Sequence, residues 1–297
     1  MSNNSCWVRR RAIAAVALAA ALCLPLAACG SPPTPSPPQP PPGIVSPDAD
    51  APTPSEGVTP DGGAVSPEVS AGPSVLDTPD PGQPVVTESY WEEKAQAGDG
   101  QVVADIRCTL PALPDDAPVA ILAYYDGKSR AFRQEGEALQ RSAQAHYEAS
   151  RSGDFDFIPY TLEQNFMVSY NQNGLLSVVR DISVFSGGAH GDILVETETF
   201  RLTDGRTLSL DDLFSVGREV YRPRLVEAVC AFIEQNLDDY YANYRDIVEE
   251  NFPEETFALT EDGLTLYYGT YTLAPFAGGI PRFEIPYGQL TDIWKAF

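Results

Sequence analysis

The chain has 297 residues, of which 42 are acidic and 19 are basic, so its formal net charge at pH 7 is −23. Because proteins bind nucleic-acid phosphates through lysine and arginine, this balance argues against DNA or RNA as a partner. Hydrophobic residues make up 43% of the sequence, an ordinary share for a globular protein.

The first 28 residues have the organisation of a secretory signal peptide. Three arginines at positions 9–11 precede an apolar run at 12–28 that consists mostly of Ala, Leu and Val. Positive charge followed by a short apolar run is typical of such a peptide. A transmembrane anchor is the alternative, but a span needs about 20 apolar residues, and this run is shorter and contains Pro25.

The end of the apolar run, Leu26-Ala27-Ala28-Cys29, resembles the lipobox of bacterial lipoproteins. The resemblance implies that Cys29 carries palmitate-type acyl chains, which would attach the protein to the extracellular face of the cell membrane. Cleavage before Cys29 would remove three arginines and no acid, leaving 16 basic and 42 acidic residues and a charge of −26. Such a charge favours a cationic partner, although an acidic surface that only aids solubility is the simpler alternative.

A proline-rich segment follows Cys29. Residues 30–86 contain 17 of the 27 prolines and no Lys, Arg or aromatic residue. This composition cannot bury enough apolar surface to offset the entropy lost on ordering, so we predict a disordered stalk over 29–86. The folded region is then predicted to be 87–297.

Two cysteines remain in the folded region after Cys6 and Cys23 leave with the signal peptide and Cys29 is acylated. Cys108 and Cys230 either form a disulfide, which an oxidising compartment permits, or remain two buried free thiols. The sequence contains no Cys-x-x-Cys and no histidine-rich spacing. We therefore predict no metal site and no cofactor.

Apolar periodicity predicts the elements of the folded region in chain order. Alternation predicts a first strand, and prolines 111, 114 and 118 are then expected to interrupt regular structure before an amphipathic helix. Hairpins are predicted around Asn173-Gly174 and Asp204-Gly205, followed by a short helix that begins at Ser209. The predicted strands are 101–108, 161–170, 175–185, 191–201, 207–210, 256–259, 264–270 and 283–285, and the predicted helices are 129–151, 220–240, 244–251 and a last turn within 287–293.

Strands and helices alternate in blocks, which predicts an α+β fold with antiparallel sheet packed against helices.

Three motifs in this order resemble a known family. They are Ser186-Gly187-Gly188-Ala189-His190-Gly191, Thr203-Asp204-Gly205-Arg206, and Ala277-Gly278-Gly279-Ile280-Pro281. Together they resemble the extracellular domain shared by RsiV-type anti-sigma factors and PdaC-type deacetylases, over about residues 95–297. The resemblance implies a PdaC-like α+β subdomain at 87–185 and an RsiV-like C-terminal subdomain at 186–297.

The same resemblance bears on function. In RsiV this domain binds lysozyme, and in PdaC the deacetylase chemistry lies in a separate catalytic domain. Only 11 residues precede the apolar run and no deacetylase domain follows Phe297, so we expect neither the anti-sigma function nor the deacetylase activity here. The expected function is a binding or sensing module, and not an enzyme.

One candidate site is the glycine loop. Gly187, Gly188 and Gly191 surround His190, which either contacts a ligand or fixes the turn through backbone hydrogen bonds. A hydrolase would require Ser186, His190 and Asp192 to act as nucleophile, base and orienting group, but no Gly-x-Ser-x-Gly motif accompanies them.

A second candidate is an acidic corner beside Phe252 and Pro253, which is either a contact for a basic protein or a solvated turn. Its members are Glu249, Glu250, Glu254 and Glu255.

The sequence thus predicts a lipid-anchored extracellular module for a cationic protein such as lysozyme or for a cell-wall component such as peptidoglycan. The alternatives are a peptidoglycan-processing hydrolase of the cell envelope and a structural lipoprotein that contacts the wall.

Overall fold

The computed structural model describes residues 83–153 and 155–295. The predicted signal peptide, the lipidation site Cys29 and the stalk up to residue 82 lie outside the described residues. Nine strands and four α-helices make up this part of the chain. In order they are β1 (Thr87–Gln96), β2 (Val102–Ala112), α1 (Val119–Ser150), β3 (Tyr160–Gln172), β4 (Leu175–Phe185), β5 (Asp192–Arg201), β6 (Arg206–Thr207), α2 (Leu210–Leu213), α3 (Arg218–Ile233), α4 (Tyr244–Glu250), β7 (Phe257–Leu259), β8 (Gly263–Tyr267) and β9 (Arg282–Pro286).

The first six strands form one sheet in sequence order, β1 to β6, and the last three form a second sheet. The predicted α+β class is confirmed, but the expectation of purely antiparallel sheet is wrong at one pair. β2 and β3 run parallel, with Ile106 opposite Leu162. Parallel neighbours need a long crossover, which α1 provides between them.

Helix α1 begins ten residues earlier than predicted. Pro118 stands immediately before the helix, and proline is tolerated at a helix start because the first N–H groups have no intrahelical partner. The predicted amphipathic character of this helix is confirmed, since Phe132 and Ala143 are buried while many of its other residues are exposed. Gly136 lets α1 approach β2 closely, because a Cβ there would lie 3.0 Å from Cδ1 of Ile106.

The hairpin between β3 and β4 is confirmed. Asn173 and Gly174 both have positive φ, 53° and 73°, as a two-residue type I′ turn requires. Strand β1 was not predicted, because nearly all of its residues are exposed and the sequence shows no apolar alternation there.

The second sheet packs with α3 and α4 around a separate apolar core that includes Tyr221, Leu225, Leu266 and Phe283. Helix α3 ends at Ile233, seven residues before the predicted end, and a 3-10 turn at Leu237–Asp239 follows. The predicted boundary between residues 185 and 186 falls inside the six-stranded sheet, between β4 and β5.

The two cysteines of the described region are both free and buried. Cys108 packs in the core between α1 and the large sheet, whereas Cys230 packs in the core of α3 and the small sheet. The disulfide alternative is therefore incorrect, because the two thiols belong to different cores.

Arg180 is the largest fully buried side chain, and it lies at the centre of β4 under α1. Its Nε donates to Glu198 of β5 at 2.9 Å and its Nη1 donates to Gln164 of β3 at 2.9 Å, while its Nη2 pairs with Glu196. From α1, Lys128 reaches Glu196 at 2.6 Å. Burial opposes ionisation of Glu196, but Arg180 and Lys128 outweigh it and lower the pKa of that carboxyl.

Replacing Arg180 by Met should destabilise the fold by about 3–5 kcal/mol, because Glu198 would be left buried and without its counter-charge. Arg107→Met is the matched control, since Arg107 is half-exposed and pairs with Asp105 at the surface; it should cost less than about 1 kcal/mol. Denaturant unfolding of both variants measures the difference. Equal losses would contradict the importance given to the buried network.

Candidate functional site

The loop at 186–191 joins β4 to β5 at one end of the large sheet. Gly187 and Gly188 have φ of 95° and 97°, a conformation that residues with a side chain rarely adopt. A Cβ on Gly191 would lie 2.6 Å from the backbone oxygen of Val184. Three glycines of the predicted motif are therefore required by the path of the backbone.

His190 connects this loop to the segment between β8 and β9. Its Nδ1 lies 2.9 Å from the carbonyl oxygen of Gly191, which can only accept, so Nδ1 is the donor. Nε2 is then free to accept from the hydroxyl of Tyr271 at 3.1 Å. The imidazole also stacks on Phe276, with ring centroids 4.4 Å apart. The first motif thus meets, at this histidine, the segment that immediately precedes the motif at 277–281.

The backbone of Tyr271 adopts an unusual conformation. Its φ is 61°, which is uncommon for any residue other than glycine and is strained for a bulky side chain. Its ring stacks on Phe276 at 5.4 Å while 48% of the residue remains exposed. Strain of this kind persists where the surrounding structure fixes it and often marks a functional position.

His146 lies on the other side of the same loop. This residue of α1 shares a hydrogen bond of 2.9 Å with the hydroxyl of Tyr160 and stacks on Phe155 at 5.2 Å. The Cβ position of Gly187 is 3.6 Å from Cε1 of His146. One histidine of the chain therefore lies within the glycine loop and the other packs beside it.

Exposed apolar side chains gather around this loop and at the start of β5. Phe155 stacks on His146 and Tyr271 bonds His190, and both are exposed. Ile193 and Leu194, just after the loop, are exposed as well. We call the loop 186–191 together with His146, Phe155, Tyr271 and Phe276 the glycine-loop surface. Grouped apolar exposure of this kind marks interaction sites more often than isolated exposed residues do.

The predicted acidic corner is partly neutralised. Glu254 lies 3.4 Å from Nη2 of Arg218 and 3.6 Å from Nε of Arg222, and Arg222 also donates to the carbonyl of Glu249 at 2.7 Å. Glu249, Glu250 and Glu255 are exposed. Glu254 therefore helps to hold α3 beside the turn at 251–255, and the use of the other three acids in binding stays a prediction.

Ser186, His190 and Asp192 do not form a hydrogen-bonded catalytic triad. The ring nitrogens of His190 bond Gly191 and Tyr271, and neither bonds Ser186 or Asp192. Among residues 83–153 and 155–295, no group of three or more His, Cys, Asp and Glu side chains is arranged to hold a metal ion. No helix within these residues is long and apolar enough to cross a membrane.

Sequence reasoning identified His190 and its glycines but missed His146, Phe155, Tyr271 and Phe276. Phe155, the nearest of these, lies 31 residues before the loop along the chain, and Phe276, the farthest, lies 85 residues after it. The only feature of the sequence that pointed to one of these residues is that Phe276 adjoins the motif at 277–281.

Gly191→Ala should destabilise the chain by about 1–3 kcal/mol, because the added Cβ meets backbone and the loop must move. Gly98→Ala is the control, since a Cβ there would have no atom within 4 Å. Thermal or denaturant unfolding provides the comparison. If the two variants lose equal stability, the close approach of Val184 to Gly191 does not constrain the loop.

Comparison with known proteins gives two family matches. The model of Deacetylase PdaC matches residues 102–192, and the model of Protein of unknown function (DUF3298) matches residues 211–288. No curated protein matches the chain significantly.

Two crystal structures of DUF3298 family members are similar to the chain. That from Bacteroides fragilis has 20% identity and a TM-score of 0.55, and the match covers 71% of this chain and 94% of the other. That from Pseudomonas aeruginosa has 20% identity, a TM-score of 0.46 and the same coverage. The Bacteroides structure supports the fold. Residues 102–192 of the chain thus resemble a PdaC-type domain, and residues 211–288 resemble a DUF3298 domain, whose function is unknown.

Proposed function

We propose that this protein is a lipid-anchored binding module that docks a cationic extracellular protein, of the lysozyme kind, on the glycine-loop surface. The observation that carries the proposal is the gathering of exposed aromatic and aliphatic side chains around the loop 186–191. A surface that only faces solvent gains nothing from such a group, whereas a docking surface uses it for contact.

The side chains of this surface are suited to anchor a partner. Tyr271 and Phe276 stack on each other and on His190, so their rings are already held in place before binding. Ordering rotamers at an interface costs free energy, and pre-ordered aromatic side chains avoid much of that cost. Aromatic residues are also enriched among those that dominate binding energy.

Charge supports a cationic partner. The chain carries a net charge of −23, and Asp192 is exposed directly after the loop. An acidic surface attracts basic proteins at long range and raises their association rate, while the apolar contacts provide the short-range affinity.

The alternative is a hydrolase of the cell envelope. Its support is the name of the matching family model, Deacetylase PdaC, over residues 102–192. Under this alternative the purified chain would turn over peptidoglycan, and His190→Ala would abolish that turnover. The hydrogen bonds of His190 to Gly191 and Tyr271 favour a role in holding the loop.

Tyr271→Ala should weaken binding of a basic lysozyme by at least about tenfold, because it removes an exposed aromatic anchor. Tyr90→Ala is the matched control, since Tyr90 is exposed to a similar extent, 54% against 48%, on β1. Calorimetric titration of the full-length chain at about 0.15 M salt, where the Debye length is about 8 Å, measures both. Equal effects of the two substitutions, or binding that vanishes with salt, would contradict a shaped site.

The anchor is tested separately at the N-terminus. Cys29→Ser should prevent incorporation of a palmitate analogue and move the protein from the membrane fraction to the soluble fraction of a bacterial host. Cys23→Ser, which changes the other cysteine of the apolar run, should leave labelling intact. Continued labelling of the Cys29→Ser protein would rule out this residue as the lipidation site.

A further inference from the structure

The outer edge of β5 is open along its first half. Strand β6 pairs only with Phe200 and Arg201, and no other described strand pairs with this edge before them. The carbonyl of Thr199 accepts from Leu208 and that of Arg201 accepts from Gly205, so odd-numbered residues of β5 point outward. Because alternate residues of a strand direct N–H and C=O to the same edge, Ile193, Val195 and Thr197 present unpaired backbone groups there.

The side chains of this edge do not block pairing. Ile193 and Leu194 are exposed, and Val195 is half-buried. The opposite edge of the sheet, β1, carries charged side chains at four of its ten positions. Charges on an edge strand discourage pairing with another chain, and among residues 193–197 only Glu196 is charged.

We propose that residues 193–197 accept an extended cationic segment of a partner protein as an additional strand of the large sheet. This inference rests on the proposed function and specifies how the partner is engaged. Backbone hydrogen bonds to an edge strand supply affinity in this mode of recognition, and alternate side chains supply specificity. The edge begins three residues after His190, so the added strand would run directly beside the glycine-loop surface.

The negative charge near the β5 edge favours a basic segment as the added strand. Asp192 is exposed at one end of the edge, directly before Ile193. A second copy of the chain would bring another net charge of −23 to this contact, and like charges oppose association. A basic segment is instead attracted by Asp192 and by the net negative charge of the chain.

The probe is a seven-residue peptide of alternating lysine and valine with both ends blocked, added to the full-length chain. Hydrogen exchange followed by NMR reports on single amides. Saturating peptide should slow exchange at Ile193 and Val195 by at least about tenfold, whereas Leu194 and Glu196, whose amides face β4, should change little. Absence of this alternation overturns the proposal.

Two substitutions of Ile193 distinguish the contribution of its backbone N–H to peptide binding from that of its side chain. Ile193→Pro removes an outward N–H, which an edge strand tolerates, and Ile193→Ala keeps it. Peptide affinity should fall at least about tenfold with Pro and less than about threefold with Ala. Circular dichroism checks that the Pro variant folds, and if it does not, the exchange pattern of the unsubstituted chain decides alone.

Other outcomes are equally informative. If sedimentation shows a dimer whose Ile193 and Val195 amides are protected without peptide, a second copy occupies the edge and the proposal is overturned. Tyr90→Ala, on β1 at the opposite edge of the sheet, should leave peptide affinity unchanged. Failure of lysozyme binding together with peptide protection would therefore reject the proposed function while retaining a strand-accepting edge.

Discussion

The rest of the structure depends on the burial of one charged side chain. Arg180 lies in the middle of the large sheet, and its guanidinium pairs with Glu198 and Glu196 of β5 and with Gln164 of β3. Removing such a charge from water is costly unless every donor finds an acceptor, so the neighbouring strands are held in one register. Tyr124 and Lys128 of α1 bond the same two glutamates, which positions the helix over the sheet.

This register determines where the ends of the elements meet. The same helix places His146 beside the loop 186–191, and the pairing of β4 with β5 sets the path of this loop, which carries His190. The second sheet is joined to the first through Ser177, whose hydroxyl accepts from the backbone N–H of Leu259 at 3.1 Å. The segment between β8 and β9 of that second sheet brings Tyr271 and Phe276 to His190. The glycine-loop surface is therefore built from three parts of the chain that the core holds together.

The surface combines order with exposure. Stacked rings and the hydrogen bonds of His190 to Gly191 and Tyr271 restrict the side chains, and yet Phe155 and Tyr271 remain exposed to solvent. A site arranged in this way loses little conformational entropy when a partner binds. The exposed carboxylate of Asp192 lies directly after the loop, and one side of the surface continues into a strand edge that β6 leaves uncovered before Phe200.

The sequence by itself determined the features that depend on local chemistry. Apolar periodicity located most strands and helices, Asn173-Gly174 specified its turn through positive φ, and the glycines around His190 indicated an unusual loop. Tertiary structure alone decided the parallel pairing of β2 and β3, the existence of β1, the separation of Cys108 from Cys230, and the contact of His190 with Tyr271. Each of these depends on which residues become neighbours across tens of positions, and a one-dimensional pattern of hydrophobicity does not encode the distance between them.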